Sequence, residues 1–141
     1  MKKTLDWNTY LDTASRTVSE GIVMLTNENH ALPLAKDEEV AVFGRIQLHY
    51  YKSGTGSGGM VNVSRVISIV DGLAENNVKI NETLLNTYKE WEREHPYDLG
   101  EGWAAEPWSQ KEMPLSDKLV ADVAKETSTA IVIIGRTAGG E

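Results

Sequence analysis

No cysteine occurs among the 141 residues, so disulfides and thiol chemistry are excluded. Basic residues are few: 14 Lys and Arg against 21 Asp and Glu leave a net charge of −7. A nucleic-acid binder needs a basic face, so that class is disfavoured, whereas small neutral or cationic ligands are not. Long apolar runs are missing as well, and nothing approaches the about 20 residues that a membrane helix requires. Met1-Lys2-Lys3 has the charge of a signal-peptide start, but Leu5-Asp6-Trp7-Asn8 interrupts any apolar core behind it. The expectation is a cytoplasmic protein. His30, His49 and His95 lie far apart and show no metal-ligand spacing.

What is present suits a soluble domain with a real core: 40% hydrophobic and 25% charged residues. Asp6 is a helix N-cap candidate, and Tyr10, Leu11, Ala14, Val18, Ile22 and Leu25 recur at helical spacing behind it. That stripe is expected to face a core, with close packing at Gly21. Residues 26–30 are turn chemistry. Val40-Ala41-Val42-Phe43 reads as a strand closed by Gly44. Val63, Val66, Ile67, Val70 and Leu73 predict a helix that stops near Asn76-Asn77, and Val78-Lys79-Ile80 a short strand. Residues 82–94 predict a helix with Leu84, Leu85, Tyr88 and Trp91 on its apolar side, ended by His95-Pro96. Residues 97–115 have no period, yet hold Trp103 and Trp108, so an ordered excursion is expected. Ser116 or Asp117 caps a further helix. Ala130-Ile131-Val132-Ile133-Ile134 then reads as a strand buried on both faces. Helices alternate with strands, which predicts an α/β fold with a mostly parallel sheet flanked by helices.

Three stretches hold candidate chemistry. Gly54-x-Gly56-x-x-Gly59 fits the letter of a dinucleotide fingerprint, with Glu82 as the acid beyond the second strand. The glycines, however, stand ten residues past the strand's end at Gly44 instead of directly behind it. The same loop, with Thr55 and Ser57 each able to make a hydrogen bond, reads equally as a ligand contact or a connector. The second stretch is Arg136 to Glu141. Arg45 follows the first strand and Arg136 the last, each one residue after a glycine. Both loops should therefore sit at one edge of the sheet, where α/β proteins gather ligands. Glu141 on a Gly-rich loop is either a surface acid or a general acid whose proton is held by burial. The third is Trp103-Ala104-Ala105-Glu106-Pro107-Trp108, suited to sugar stacking or to packing at a domain seam, the latter being preferred.

Together these residues resemble a known family. Ser19-Glu20-Gly21-Ile22-Val23-Met24-Leu25-Thr26-Asn27-Glu28-Asn29-His30-Ala31-Leu32-Pro33-Leu34 is similar to the opening of the α/β sandwich domain of family 3 glycoside hydrolases. Val42-Phe43-Gly44-Arg45 and the loop through Gly59 resemble its first strand and substrate-facing loop. Ile134-Gly135-Arg136-Thr137-Ala138-Gly139-Gly140-Glu141 resembles the loop that carries its general acid/base. The resemblance implies a retaining β-glucosidase-like enzyme without metal or organic cofactor. A (β/α)₈-type barrel would supply the nucleophilic aspartate and most sugar contacts, and the sandwich would lend the acid. Retention requires two carboxyl groups about 5–5.5 Å apart.

Carried over by position, Glu141 is the acid/base, and Ser57, Thr55, Gly56 and Arg136 are substrate-binding candidates. The pair Gly139-Gly140, where the family loop often has one glycine, leaves the register open by one residue, with no other acid in the loop. No barrel sequence is present. Residues 1–141 are accordingly expected to be a single truncated sandwich domain, inert alone, whose partners in the intact parent are a β-glucoside or related β-glycoside and the barrel of the same chain. Its last strand, without cover, should promote self-association. The competing expectations are a non-catalytic carbohydrate-binding or interaction module and a dinucleotide-binding domain.

Overall fold

In the computed structural model, residues 4–51, 63–102 and 105–137 are described. The chain forms two compact units, Met1–Ala35 and Lys36–Glu141.

The first unit holds helix α1, Trp7–Gly21. Its start is set by Asp6, whose carboxylate accepts from the backbone N–H groups of Asn8 (3.1 Å) and Thr9 (3.3 Å). The helix ends at Gly21, before Ile22 and Leu25, which follow in extended or irregular chain. The expected burial of its stripe is not found: Tyr10, Leu11 and Val18 are exposed, and no residue of α1 is buried. Nor is Gly21 closely packed, since a Cβ there would meet nothing within 4 Å. An amphipathic pattern records a preference for a partner surface, and none of the described residues of this short unit is buried.

The second unit is built on strand β1, Glu39–Phe43, with β2, Lys79–Ile80, on one side and β3, Thr129–Val132, on the other. Both pairings are parallel, with Val40 opposite Ile80 and Thr129, and Phe43 opposite Val132. The α/β class holds. The crossovers contain α2 (Ile69–Glu75), then α3 (Glu82–Glu94) and α4 (Asp117–Glu126). Helix α2 starts later than its apolar spacing predicts. Ser68 and Asp71 form a capping box, so Val63, Val66 and Ile67 precede the helix. Asn81 caps α3 and Ser116 caps α4 through their side-chain oxygens.

Strand β1, not β3, is the one buried on both faces: Val40, Ala41 and Val42 are all essentially inaccessible. Ala41 joins Leu84 and Tyr88 of α3, Val123 of α4 and Met113 in one core, with Phe43, Trp91 and Leu119 packed against it. β3 alternates half-buried and exposed residues, and Val132 (69%) and Ile134 (77%) face outward. An apolar run identifies a strand but cannot say whether it lies at the centre or the edge of the sheet.

Candidate functional site at the C-terminal edge of the sheet

Because β1 and β3 are parallel, the segments that leave them emerge at the same edge. The ladder extends one step further: the Ile133 N–H donates to the Phe43 carbonyl at 2.9 Å. The two exits then lie against each other through their glycines. Gly44 has φ +105°, and a Cβ on it would stand 2.2 Å from the Ile133 carbonyl oxygen. A Cβ on Gly135 would stand 2.2 Å from Cγ1 of Ile46. The expectation that Arg45 and Arg136 share one edge is therefore met, and the two glycines are what allow it.

The two arginines play different parts. Arg45 is 2% exposed. Its Nη1 donates to the Lys111 carbonyl (3.0 Å), and its Nη2 to the His95 carbonyl (2.9 Å) and Glu92 Oε1 (3.3 Å). Its backbone N–H donates to Glu112 Oε2 at 3.0 Å. The guanidinium also lies 5.1 Å from the Trp91 ring centroid. Arg45 thus ties the end of β1 to the end of α3 and to the excursion that follows. Arg136 is exposed, 5.2 Å over the ring of Trp108. It is the accessible cation of the pair.

Two buried polar groups hold the turn after β1. The Gly44 N–H donates to Tyr88 Oη at 2.9 Å. Gln47, fully buried, donates through Nε2 to the carbonyls of Val42 (2.9 Å) and Gly44 (3.0 Å). Burial pushes the Tyr88 hydroxyl above its usual pKa, with the nearby Glu112 carboxylate acting in the same direction against the Gly44 hydrogen bond. Tyr88→Phe should leave the Gly44 N–H unpaired and cost about 1–3 kcal/mol. Urea unfolding measures this, and an unchanged midpoint would refute it.

Beside this turn lies a cavity of about 240 Å³ lined by His49, Tyr51, Ser68, Asp71, Tyr97 and Glu106, among others. His49 Nε2 sits 3.1 Å from Glu92 Oε1, the same carboxylate oxygen that Arg45 engages. Desolvation pushes the Tyr97 hydroxyl well up, assisted by Tyr51 and Glu106. It pushes Tyr51 up too, and there Arg136 and Arg45 pull the other way.

Residues 97–102 and 105–115 contain no helix or strand but are pinned, as the excursion reading expects. The Asp98 N–H donates to Gln110 Oε1 (2.9 Å), and Gln110 Nε2 returns a bond to the Asp98 carbonyl (2.8 Å). The Thr137 N–H donates to the Trp108 carbonyl at 2.9 Å.

Of the residues selected from the sequence, Arg136 is placed at this edge. Glu141, Ser57, Thr55 and Gly56 lie outside the described residues, as do the other fingerprint glycines, Gly54 and Gly59, and Trp103. Among the described residues, no group of three or more His, Asp or Glu is arranged to hold a metal ion. Sequence reasoning passed over Glu92, Glu112, Gln47 and Tyr88 as contributors to the edge. Their partners lie up to 67 positions away, and only Tyr88, on the apolar stripe of α3, left a local signal.

A parallel sheet whose strands β1 and β3 deliver paired Gly-Arg loops to one edge defines an α/β domain with both loops at the C-terminal ends of its strands. Residues 22–141 match the family described as "Glycosyl hydrolase family 3 C-terminal domain", and the chain belongs to that family. It is 60% identical over 137 residues to a β-glucosidase of Ruminococcus albus, covering 97% of this chain and 14% of that protein. A crystal structure of a β-glucosidase from Paenibacillus barengoltzii superimposes with a TM-score of 0.86 at 51% identity, covering 97% of this chain and 15% of that one. β-Glucosidase 3B from Thermotoga neapolitana in complex with glucose gives 0.83 at 30% identity, over 96% and 19%. The chain spans about a seventh of the length of the curated relatives it matches.

Proposed function

We propose that this chain is the sandwich segment of a retaining β-glucosidase, with Glu141 as the general acid/base. Ser57, Thr55, Gly56 and Arg136 make contacts to the sugar. The observation that carries the reading is the shared edge: the loop toward Ser57 and the loop toward Glu141 leave adjacent parallel strands at the same end. Two groups acting on one glycosidic bond must converge, and this topology starts both loops from one place.

In this reading the nucleophilic carboxylate and most sugar contacts come from a barrel in the same longer protein. Glu141 protonates the leaving oxygen while the nucleophile attacks the anomeric carbon. It then removes a proton from the water that releases the sugar. Arg136, exposed beside Trp108, is suited to a hydrogen bond with a sugar hydroxyl. No step calls for a metal or an organic cofactor.

The test is paired. The full-length enzyme is expected to release β-glucose from an aryl β-glucoside, with retention visible by proton NMR before mutarotation. Residues 1–141 alone are expected to release none, because one carboxyl group cannot perform a double displacement. Inversion by the full-length enzyme, or turnover by residues 1–141 alone, would overturn the reading.

A further inference from the structure

We propose that Trp108 is a positioning residue for the acid/base loop, acting through Thr137 and Arg136 on Glu141. The inference rests on the reading of Glu141 given above. After β3 the chain has no regular structure through residue 137, and two glycines, Gly139 and Gly140, precede Glu141 in sequence. Glycine adds no side-chain constraint to a backbone, so contacts that hold the residues before the pair, Arg136 and Thr137, bear on the aim of Glu141. Aim matters: a shift of about 1 Å in a reacting group can cost ~10²-fold in rate. A fixed point at residues 136–137 would serve that aim.

That fixed point is the Trp108 turn. The Trp108 carbonyl accepts the Thr137 N–H at 2.9 Å, and the Pro107 carbonyl accepts the Thr137 hydroxyl at 3.4 Å. The Trp108 ring takes the Arg136 guanidinium at 5.2 Å. Three contacts thus join two consecutive loop residues to two consecutive residues of the excursion. The excursion is itself tied down: its Lys111 carbonyl accepts from buried Arg45, which also binds the His95 carbonyl at the end of α3, and Gln110 clasps Asp98. A continuous chain of contacts runs from the buried end of β1 to the stem of the acid loop. This also gives a purpose to a Trp that is 67% exposed and belongs to no core cluster.

The ring contact is the part that mutation can remove. Trp108→Ala, Trp108→Phe and Glu141→Ala are made in the full-length enzyme. Each is assayed on a glucoside with a poor alkyl leaving group and on the activated 2,4-dinitrophenyl glucoside, whose departure needs no proton. Any loosening of Arg136 as a sugar contact lowers both substrates alike, so the positioning role is read from the excess: Trp108→Ala should lower kcat/KM about tenfold or more further on the alkyl glucoside than on the activated one. Trp108→Phe, which keeps a ring face for Arg136, should restore most of the loss. Equal losses on both substrates would make Trp108 a sugar platform or a purely structural residue, and no loss on either would make it irrelevant. Both results overturn the proposal. If Glu141→Ala shows the leaving-group split and Trp108→Ala does not, the positioning role falls while the acid/base assignment stands. If Glu141→Ala shows no split, the acid/base assignment itself falls, and the proposal with it.

Discussion

Glu141→Ala in the full-length enzyme should reduce hydrolysis of alkyl β-glucosides by ~10²–10⁴-fold, the usual contribution of a positioned general acid. The effect should be far smaller for formation of the glycosyl-enzyme from the 2,4-dinitrophenyl glucoside, because that leaving group departs as a stable anion. Steady-state turnover of the activated substrate should nevertheless slow, since in the proposed mechanism the same carboxylate deprotonates the incoming water. The intermediate would then accumulate, and kcat and KM should fall together. Added azide, a nucleophile that needs no base, should restore turnover and yield the β-glucosyl azide. The pH profile supplies an independent readout. An acid must keep its proton to work, so its titration forms the alkaline limb of kcat/KM, and that limb should be lost in the variant. An unchanged rate on alkyl glucosides, or an intact alkaline limb, would remove Glu141 from the mechanism.

The parts of this domain that could be read in the sequence are those decided by neighbouring residues. Asp6 and Ser116 start their helices, and residues 82–94 form a helix with Leu84 and Tyr88 inward, because capping and apolar spacing act within a few positions. Gly44 closes β1 as expected. The start of α2 was misread for an equally local reason: Val63, Val66 and Ile67 mimic a helical face, but the Ser68/Asp71 box fixes the true start. The failures elsewhere are of another kind. Whether the run 130–134 is central or peripheral depends on what pairs with it, and strand order places β1 in the centre and β3 at the edge. The stripe on α1 gives an apolar face without naming its cover. At the site, topology alone put Arg45 and Arg136 at one edge. Their division of labour was not legible, because the Arg45 partners on the excursion and on α3 are brought in by the fold from 47 to 67 positions away.

That division of labour gives the largest effect expected on stability. Arg45→Met should cost about 3–5 kcal/mol, the range for breaking a buried charged pair from one side. The methionine can fill much of the volume, but it leaves the Glu92 carboxylate without its buried partner and the Lys111 and His95 carbonyls without donors. A domain of this size is stable by only ~5–15 kcal/mol, so the variant should unfold at a much lower urea concentration or fail to accumulate. Arg45→Lys should fall between the two, since an ammonium keeps the charge but cannot reach both carbonyls and Glu92 from one planar group. Arg136→Ala is the counterpart. Its guanidinium is exposed and, among the described residues, meets the Trp108 ring and the Gly135 carbonyl, so stability should move by no more than about 0.5 kcal/mol. In the full-length enzyme the order should invert for substrate: Arg136→Ala should raise KM, which no loss of folded stability imitates. Equal destabilisation by Arg45→Met and Arg136→Ala, or an Arg45→Met domain as stable as its parent, would mean that Arg45 is not the hub of this edge. The same Gly-Arg step thus occurs twice at this edge, once turned inward as a buried tie and once turned outward to solvent.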